Sequence, residues 1–476
     1  MNKRFVFLIA KLLPNLLGVI TTALLTRVLP PSDYGLYTFG LSIIYFMTIG
    51  TFEWMGLSLL RMAATVQEPE LFYGTIMSCF CTTFLACSAA IGFIMLTGLT
   101  NNSLFLFVCL IACFGSAWTE LQQRLQLAEL RASAFFVVSF GRGLLTVTLV
   151  PAVAYWYHDA TLVLVAFAIA NILPAFLAND RRLGFVRLRF DSQTLSQLLR
   201  FGLPLSISVG LATLLSSMDK WMLGALNGTE SIGLFSAAAM VAQMPVLSLA
   251  SGIGPSAYAM AVRAKSFGSA EDLDDQLRRT FILLLGLVLP AALGIVGLSK
   301  SLSHILVGPL YSGHVVTLAP WLAAMGVISS MRAFYADIAF QLEQKTTSLI
   351  WTMVLAVIVN GSLGLVLIPH LGPKGAAISS FCAAITGLLA SAALGRRHTI
   401  LPIPFPDTIK LAVSALVMFF VVDRLPETVQ LLQLLFEIVI GVAVFGGSVL
   451  LLDVMGIRRT LIQLLPMMRN ASQHLL

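Results

Sequence analysis

Apolar runs of about 20 residues, repeated from one end of the chain to the other, limit its fold more than any other feature. A helix rises about 1.5 Å per residue, so such a run crosses roughly 30 Å of hydrocarbon. The runs lie near 5–26, 34–60, 72–99, 103–119, 134–157 and 160–179. A second set lies near 201–226, 231–258, 280–299, 314–331, 348–368 and 374–395, and a last pair near 409–423 and 432–453. In lipid a backbone must satisfy its own hydrogen bonds, which leaves helices or closed barrels. Barrel strands are about half as long and alternate in polarity. The chain therefore reads as an all-α membrane protein of about 14 transmembrane helices. Of its 476 residues 58% are hydrophobic and 11% charged, against roughly 25% charged in soluble domains.

The placement of charge orients these spans. Of the 29 Lys and Arg, 22 fall on the side of the amino terminus, four (Arg27, Lys300, Lys374, Arg424) fall opposite, and three lie within spans. Basic residues accumulate on the cytoplasmic side, so both termini are expected there. The net charge of +7 thus reflects topology and does not imply nucleic acid. Lys3 and Arg4 precede an apolar run as in a signal peptide, but no small-x-small cleavage site follows, and a first span is expected. Cys79, Cys81, Cys87, Cys109, Cys113 and Cys382 all fall inside apolar runs without metal-ligand context. They read as small buried hydrophobes, and no metal site or cofactor is expected.

Five arginines between Asn179 and Arg200 separate six spans from the next six. The organisation expected is an amino-terminal six-helix lobe (1–179), a cytoplasmic linker (180–200), a second six-helix lobe (201–398), and two further helices with a cytoplasmic tail (399–476). A short amphipathic lead-in bearing Leu195, Leu198 and Leu199 should lie on the cytoplasmic face before the seventh span. Pro402, Pro404 and Pro406 set off the last pair. The segment Ser32-Asp33-Tyr34-Gly35-Leu36-Tyr37 has a counterpart 198 residues later in Glu230-Ser231-Ile232-Gly233-Leu234-Phe235. Glycine at this point fits a tight far-side turn, and the recurrence favours two pseudo-symmetric lobes related by an axis along the membrane normal.

Ionisable groups inside spans cost free energy and so mark candidate sites. They are Lys11, Glu53, Arg142, Asp219 and Lys220, with Arg27 at the far end of the first span. Lys11, Asn15, Gly18, Thr22 and Thr26 form one polar stripe on the first span; Ser206, Gly210, Thr213, Ser217 and Lys220 form another on the seventh. Ser139, Arg142, Gly143 and Thr146 add a third face on the fifth. Three helices around one water-filled cavity account for these stripes, although small residues also serve close helix packing. Lys11 lies near enough to the cytoplasm to snorkel. Arg142 lies about 12 Å deep, which makes that harder. Asp219 and Lys220 read as an ion pair, a coupling-ion site or part of a substrate clamp, and Glu53 as a partner of a cavity cation or a proton carrier. Four cations against two anions suit an anionic ligand, phosphate in particular, which arginine grips through paired hydrogen bonds. Hydroxyl and amide side chains on the same stripes suit sugars. The same sign disfavours a lipophilic cation.

Several segments carry a family resemblance. Leu25-Thr26-Arg27-Val28-Leu29-Pro30-Pro31-Ser32-Asp33-Tyr34-Gly35 resembles the first turn of bacterial polysaccharide transporters. So do Phe201-Gly202-Leu203-Pro204, Asp219-Lys220 before Gly233-Leu234-Phe235, Gly308-Pro309-Leu310-Tyr311 and Ile368-Pro369-His370-Leu371-Gly372-Pro373-Lys374-Gly375. The chain is similar to Wzx-type O-antigen and exopolysaccharide flippases of the multidrug/oligosaccharidyl-lipid/polysaccharide exporter superfamily. The resemblance implies two six-helix lobes about a cation-lined cavity, with two extra helices, in the bacterial inner membrane. It implies transport of undecaprenyl-pyrophosphate-linked oligosaccharide by alternating access, with H+ or Na+ coupling. Arg27 matches the family's first-span arginine and Asp219 its seventh-span aspartate. The residue reading assigns substrate binding to Lys11, Arg27, Arg142 and Lys220, and a coupling-ion or charge-pair role to Glu53 and Asp219. A polysaccharide polymerase and a chain-length regulator are the expected partners beside membrane lipids, and function as a monomer is expected.

Two other classes of protein also have many spans. A membrane-embedded polymerase or glycosyltransferase needs a long polar loop as a catalytic platform; the far-side loops here are short, so no enzymatic activity is expected. Within the same superfamily, lipid II or drugs are alternative cargoes, of which the positive interior disfavours drugs.

Overall fold

The computed structural model describes residues 3–63, 66, 68–97, 102–177, 183, 188–343, 347–397 and 399–456, giving backbone only for 3–12, Asn15 and Thr347. The described chain is almost entirely helical: α1 Lys3–Val28, α2 Pro31–Thr51, α3 Glu53–Met62, α4 Pro69–Leu96, α5 Ser103–Ala128, α6 Ala132–Tyr157 and α7 Ala160–Leu177. Then follow α8 Ser192–Asn227, α9 Thr229–Ala242, α10 Met244–Phe267, α11 Ala270–Gly297, α12 Ser299–Leu306 and α13 Pro309–Met331. A π-turn at Arg332–Ala336 leads to α14 Ile338–Leu342, α15 Thr347–Leu371, α16 Pro373–Gly395, α17 Phe405–Asp423 and α18 Leu431–Leu451. Among the described residues, 12 helices are long and apolar enough to cross a membrane, and 13 if α2 and α3 form one bent span. With the 26-residue α1 this agrees with the expected architecture, and the chain is a multi-pass helical membrane protein.

Three expected spans differ in detail. The run 34–60 is broken at Phe52, where α2 and α3 meet at 51°. The break carries no proline, so periodicity alone gave no sign of it. The run 231–258 is likewise split between α9 and α10 at Gln243. Conversely, the amphipathic lead-in does not lie apart from the seventh span. It forms the start of a continuous 36-residue α8, whose first turn is capped by Asp191 Oδ2 accepting from Thr194 N at 2.7 Å.

The described contacts gather into two compact units. The first comprises Met1–Ala237, Leu306–Leu310 and Asn360–Ala376, and so includes α8 with the first six spans. The physical reason is that α8 runs along α2 and α3. Ser58 Oγ donates to the Leu198 carbonyl at 2.8 Å, and Trp221 Nε1 donates to Ser42 Oγ at 2.9 Å. At Gly202 a Cβ would stand 2.2 Å from the Trp54 carbonyl oxygen, so only glycine permits the approach.

The second unit comprises Ala238–Ile305, Tyr311–Val359 and Ala377–Leu476. Here α17 and α18 pack on α11, with Leu298, Met418, Val422 and Leu434 forming a buried cluster. The capping box of α11 is complete: Ser269 Oγ accepts from Asp272 N, and the Asp272 carboxylate accepts from Ser269 N. The Ser269 N–H, donating to Asp272 Oδ2 at 2.7 Å, and the Ser269 hydroxyl, placed 2.9 Å from the same oxygen, hold the Asp272 carboxyl below its ordinary range.

Candidate functional site

The polar faces of the first and fifth spans meet. α1 lies along α6, closest at Gly143, where a Cβ would stand 2.8 Å from Leu17 Cδ1 and 3.4 Å from Pro14 Cα. Beside this crossing is a cavity of about 350 Å³. Its walls are Pro14 and Gly18 of α1, Tyr45 of α2, Gln123 of α5, and Ser139, Arg142, Gly143 and Thr146 of α6, with Phe135 and Phe167 closing it. The small residues at 18 and 143 open the volume, and the hydroxyl, amide and guanidinium groups give it a polar interior. Gln123 Nε2 donates to Ser139 Oγ at 3.1 Å, and Thr146 Oγ1 donates to the Arg142 carbonyl at 2.8 Å.

A charged cluster adjoins the cavity. The break at Phe52 makes Glu53 the first residue of α3, so a buried carboxylate stands at a helix N-terminus, where the backbone dipole favours negative charge. Glu53 Oε1 accepts from Arg124 Nη2 at 2.6 Å. Glu53, Glu120 and Arg124 line one small recess with Phe52, Gly56, Phe80, Ala117 and Leu121.

Of the residues predicted for the site, Arg142 lines the cavity and Glu53 lies in the adjoining cluster. The side chain of Lys11 lies outside the described residues. Arg27 is exposed at the end of α1. Asp219 is buried on α8, where its Oδ1 accepts from Asn360 Nδ2 at 3.0 Å, and Lys220 follows it on the same helix. Spans one and five therefore share a cavity, whereas no residue of α8 lines it. Along its length α8 packs on α2 and α3.

Sequence reasoning missed Glu120 and Arg124, because the fourth apolar run ends near 119 while α5 continues to Ala128. It also missed Arg332, which opens the π-turn, Asp337, which follows it, and Glu437 on α18. The Asp337 N–H donates to the Arg332 carbonyl at 2.9 Å, closing the wider turn. Glu437 is buried, neither carboxylate oxygen has a hydrogen-bond partner, and Ser301 is the polar group facing it. It borders an apolar groove of about 450 Å³ between α11, α17 and α18, walled by Pro290, Gly294, Met418, Val422 and Gly441 among others. Among the described residues no three His, Cys, Asp or Glu side chains gather as a metal site.

The helical fold is one that known transporter structures share. A lipid II flippase, MurJ, in an inward closed conformation matches 96% of this chain and 100% of its own at 15% identity, with a TM-score of 0.75. An inward-facing multidrug resistance MATE transporter of the MOP superfamily matches 81% of this chain and 95% of its own at 14% identity and a TM-score of 0.63. A MOP superfamily transporter from Pyrococcus furiosus, described as having a binding pocket of reversed polarity, matches 83% and 94% at 15% identity and a TM-score of 0.52. At these identities the likeness is one of fold. No curated protein sequence matches. The family model for polysaccharide biosynthesis proteins matches residues 1–265. The chain belongs to that polysaccharide biosynthesis protein family.

Proposed function

We propose that this protein is a flippase that moves undecaprenyl-pyrophosphate-linked oligosaccharide across the bacterial inner membrane for lipopolysaccharide O-antigen or exopolysaccharide assembly. The observation that carries the reading is Arg142, a cation deep in a span that opens on a cavity lined by Tyr45, Gln123, Ser139 and Thr146. An arginine in such surroundings favours a phosphate group, and the neutral polar groups favour sugar hydroxyls. The similar fold of a lipid II flippase accords with a lipid-linked cargo.

In this reading the lobes 1–179 and 201–398 alternate the site's exposure. That requires two states of similar free energy and no covalent chemistry. Both termini are cytoplasmic, one chain suffices, and transport draws on H+ or Na+. A polymerase and a chain-length regulator receive the product. Arg27, Lys11 and Lys220 are assigned to the substrate path, Asp219 to coupling or charge pairing.

The test is export in a strain lacking the native protein. Arg142→Ala and Arg27→Ala are expected to lower surface polymer at least tenfold, in line with loss of charged hydrogen bonds of roughly 1.5–3 kcal/mol, with membrane insertion unchanged. Wild-type export from both well-inserted variants would remove the cavity assignment.

A further inference from the structure

The groove between α11, α17 and α18 lies within the second unit and shares no residue with the Arg142 cavity. It encloses about 450 Å³, a volume in the range of small-molecule sites. Gly286, Ala291 and Gly294 on α11 and Gly441 on α18 carry little or no side chain and so leave the space open. Every lining residue but one is apolar and uncharged, and that one is Glu437.

Helical spacing brings the carboxyl group to this wall. Glu437, Gly441 and Phe445 follow one another at steps of four on α18, with Ile438 and Val442 beside them. Glu437 lies about 9 Å along the axis from the first residue of the helix, Leu431. It is 3% exposed, and neither of its oxygens has a hydrogen-bond partner among the described residues. The Ser301 hydroxyl makes its described bond elsewhere, accepting from the Thr428 N–H at 3.1 Å. A carboxylate withdrawn from water without a partner is costly, and within a span such a group marks a site. What it lacks is a donor, and a cationic donor compensates a carboxylate more strongly than a neutral one. The rest of the lining accepts only apolar surface. Ile438 and Val442 are exposed on the rim, so in a bilayer the groove opens toward lipid, where amphiphiles concentrate.

We infer that this groove binds a lipophilic ammonium ion, whose N–H groups donate to Glu437 while its hydrocarbon or aromatic body packs against Pro290, Gly294, Met418 and Gly441. The charge-assisted hydrogen bond, formed in low dielectric, offsets the hydration that both partners lose. A neutral molecule of the same shape gains apolar contact alone and leaves the carboxyl group unpartnered. A bare lipid chain does the same. The sign of this site is opposite to that of the Arg142 cavity, so the two select different ligands.

The test uses the full-length protein in phosphatidylcholine nanodiscs, with empty nanodiscs subtracted and affinities referred to free probe. The probe is dansylcadaverine, a fluorescent dansyl group on a primary alkylamine. The control is N-pentyldansylamide, which keeps the dansyl group and alkyl chain and lacks the amine. At about pH 7 the wild type is expected to bind the amine at least about tenfold more tightly than the control, the scale of one hydrogen bond to a charged group. Glu437→Gln, which keeps the shape and removes the charge, should bind the amine about tenfold more weakly and the control as before. Equal wild-type affinity for the two probes overturns the proposal and makes the groove a site for hydrocarbon alone. Amine binding that Glu437→Gln leaves unchanged, or no saturable binding above that of empty nanodiscs, overturns it as well. The comparison of probes is made on the wild type, so the proposal can fail even if Glu437→Gln does not fold. None of these outcomes bears on the Arg142 reading, whose test is polymer export.

Discussion

Gly35 and Gly233, 198 residues apart, stand against each other's helices in a reciprocal contact. A Cβ on Gly35 would lie 1.8 Å from the Thr229 carbonyl oxygen, and a Cβ on Gly233 would lie 2.1 Å from the Pro31 carbonyl oxygen. These are the glycines of the repeated Gly–Leu–aromatic segment. Their role differs from the far-side turn expected of them. Both are helical, and neither is among the glycines with positive φ. Each removes a side chain so that the first turns of α2 and α9 can touch backbone to backbone.

Gly35→Val and Gly233→Val should therefore each destabilise the protein by about 1–3 kcal/mol, the range for overpacking a close contact. The double variant should cost less than the sum, because one intruding side chain already parts the helices that the other would part. Thermal midpoints of the detergent-solubilised protein measure both. Additive losses would show that the two positions are not packed together.

Removing one member of the Glu53–Arg124 pair leaves the other buried without its partner. Arg124→Gln should lower stability by roughly 1–3 kcal/mol, less than for a fully enclosed pair because Arg124 is 31% exposed. The double variant Glu53→Gln with Arg124→Gln should recover part of that loss. A double-mutant cycle on unfolding midpoints checks the coupling.

Glu437 presents the opposite case: a buried carboxyl with no hydrogen bond, beside an apolar groove. Replacing such a group with an apolar residue of similar size removes a desolvation cost. Glu437→Leu should raise the thermal midpoint. A fall would mean that the carboxyl group is held by Ser301 more firmly than its geometry implies.

Outside the spans, Lys300 Nζ and Glu427 Oε1 stand 2.7 Å apart. The hydrogen bond and charge of each partner hold the Glu427 carboxyl below its ordinary range and the Lys300 ammonium above its own. The Glu427 contribution is present above the unfolded value of about 4.3 and is lost as pH falls through the folded value. The Lys300 contribution is present below about 10.4 and is lost as pH rises through the folded value. Glu427→Gln should therefore lie slightly below wild type in thermal midpoint at neutral pH and converge with it in strong acid. Both groups are exposed, so high salt should shrink the difference as well.

The spans and their helical nature were legible in the sequence, because the cost of placing each residue in lipid accumulates along the chain and does not depend on partners. The stripe on α6 was legible for a related reason. Helical periodicity places Ser139, Arg142, Gly143 and Thr146 on one face whatever packs there. Tertiary structure decided which faces meet: α1 with α6 around a cavity, and α8 with α2 and α3. It also decided that Arg124, past the end of an apolar run, pairs with a glutamate exposed by a break at Phe52. A pair 71 residues apart depends on where two helices cross and where one of them bends. The glycine repeat was visible as a pattern, but its meaning, two backbones in contact, exists only once the helices stand together.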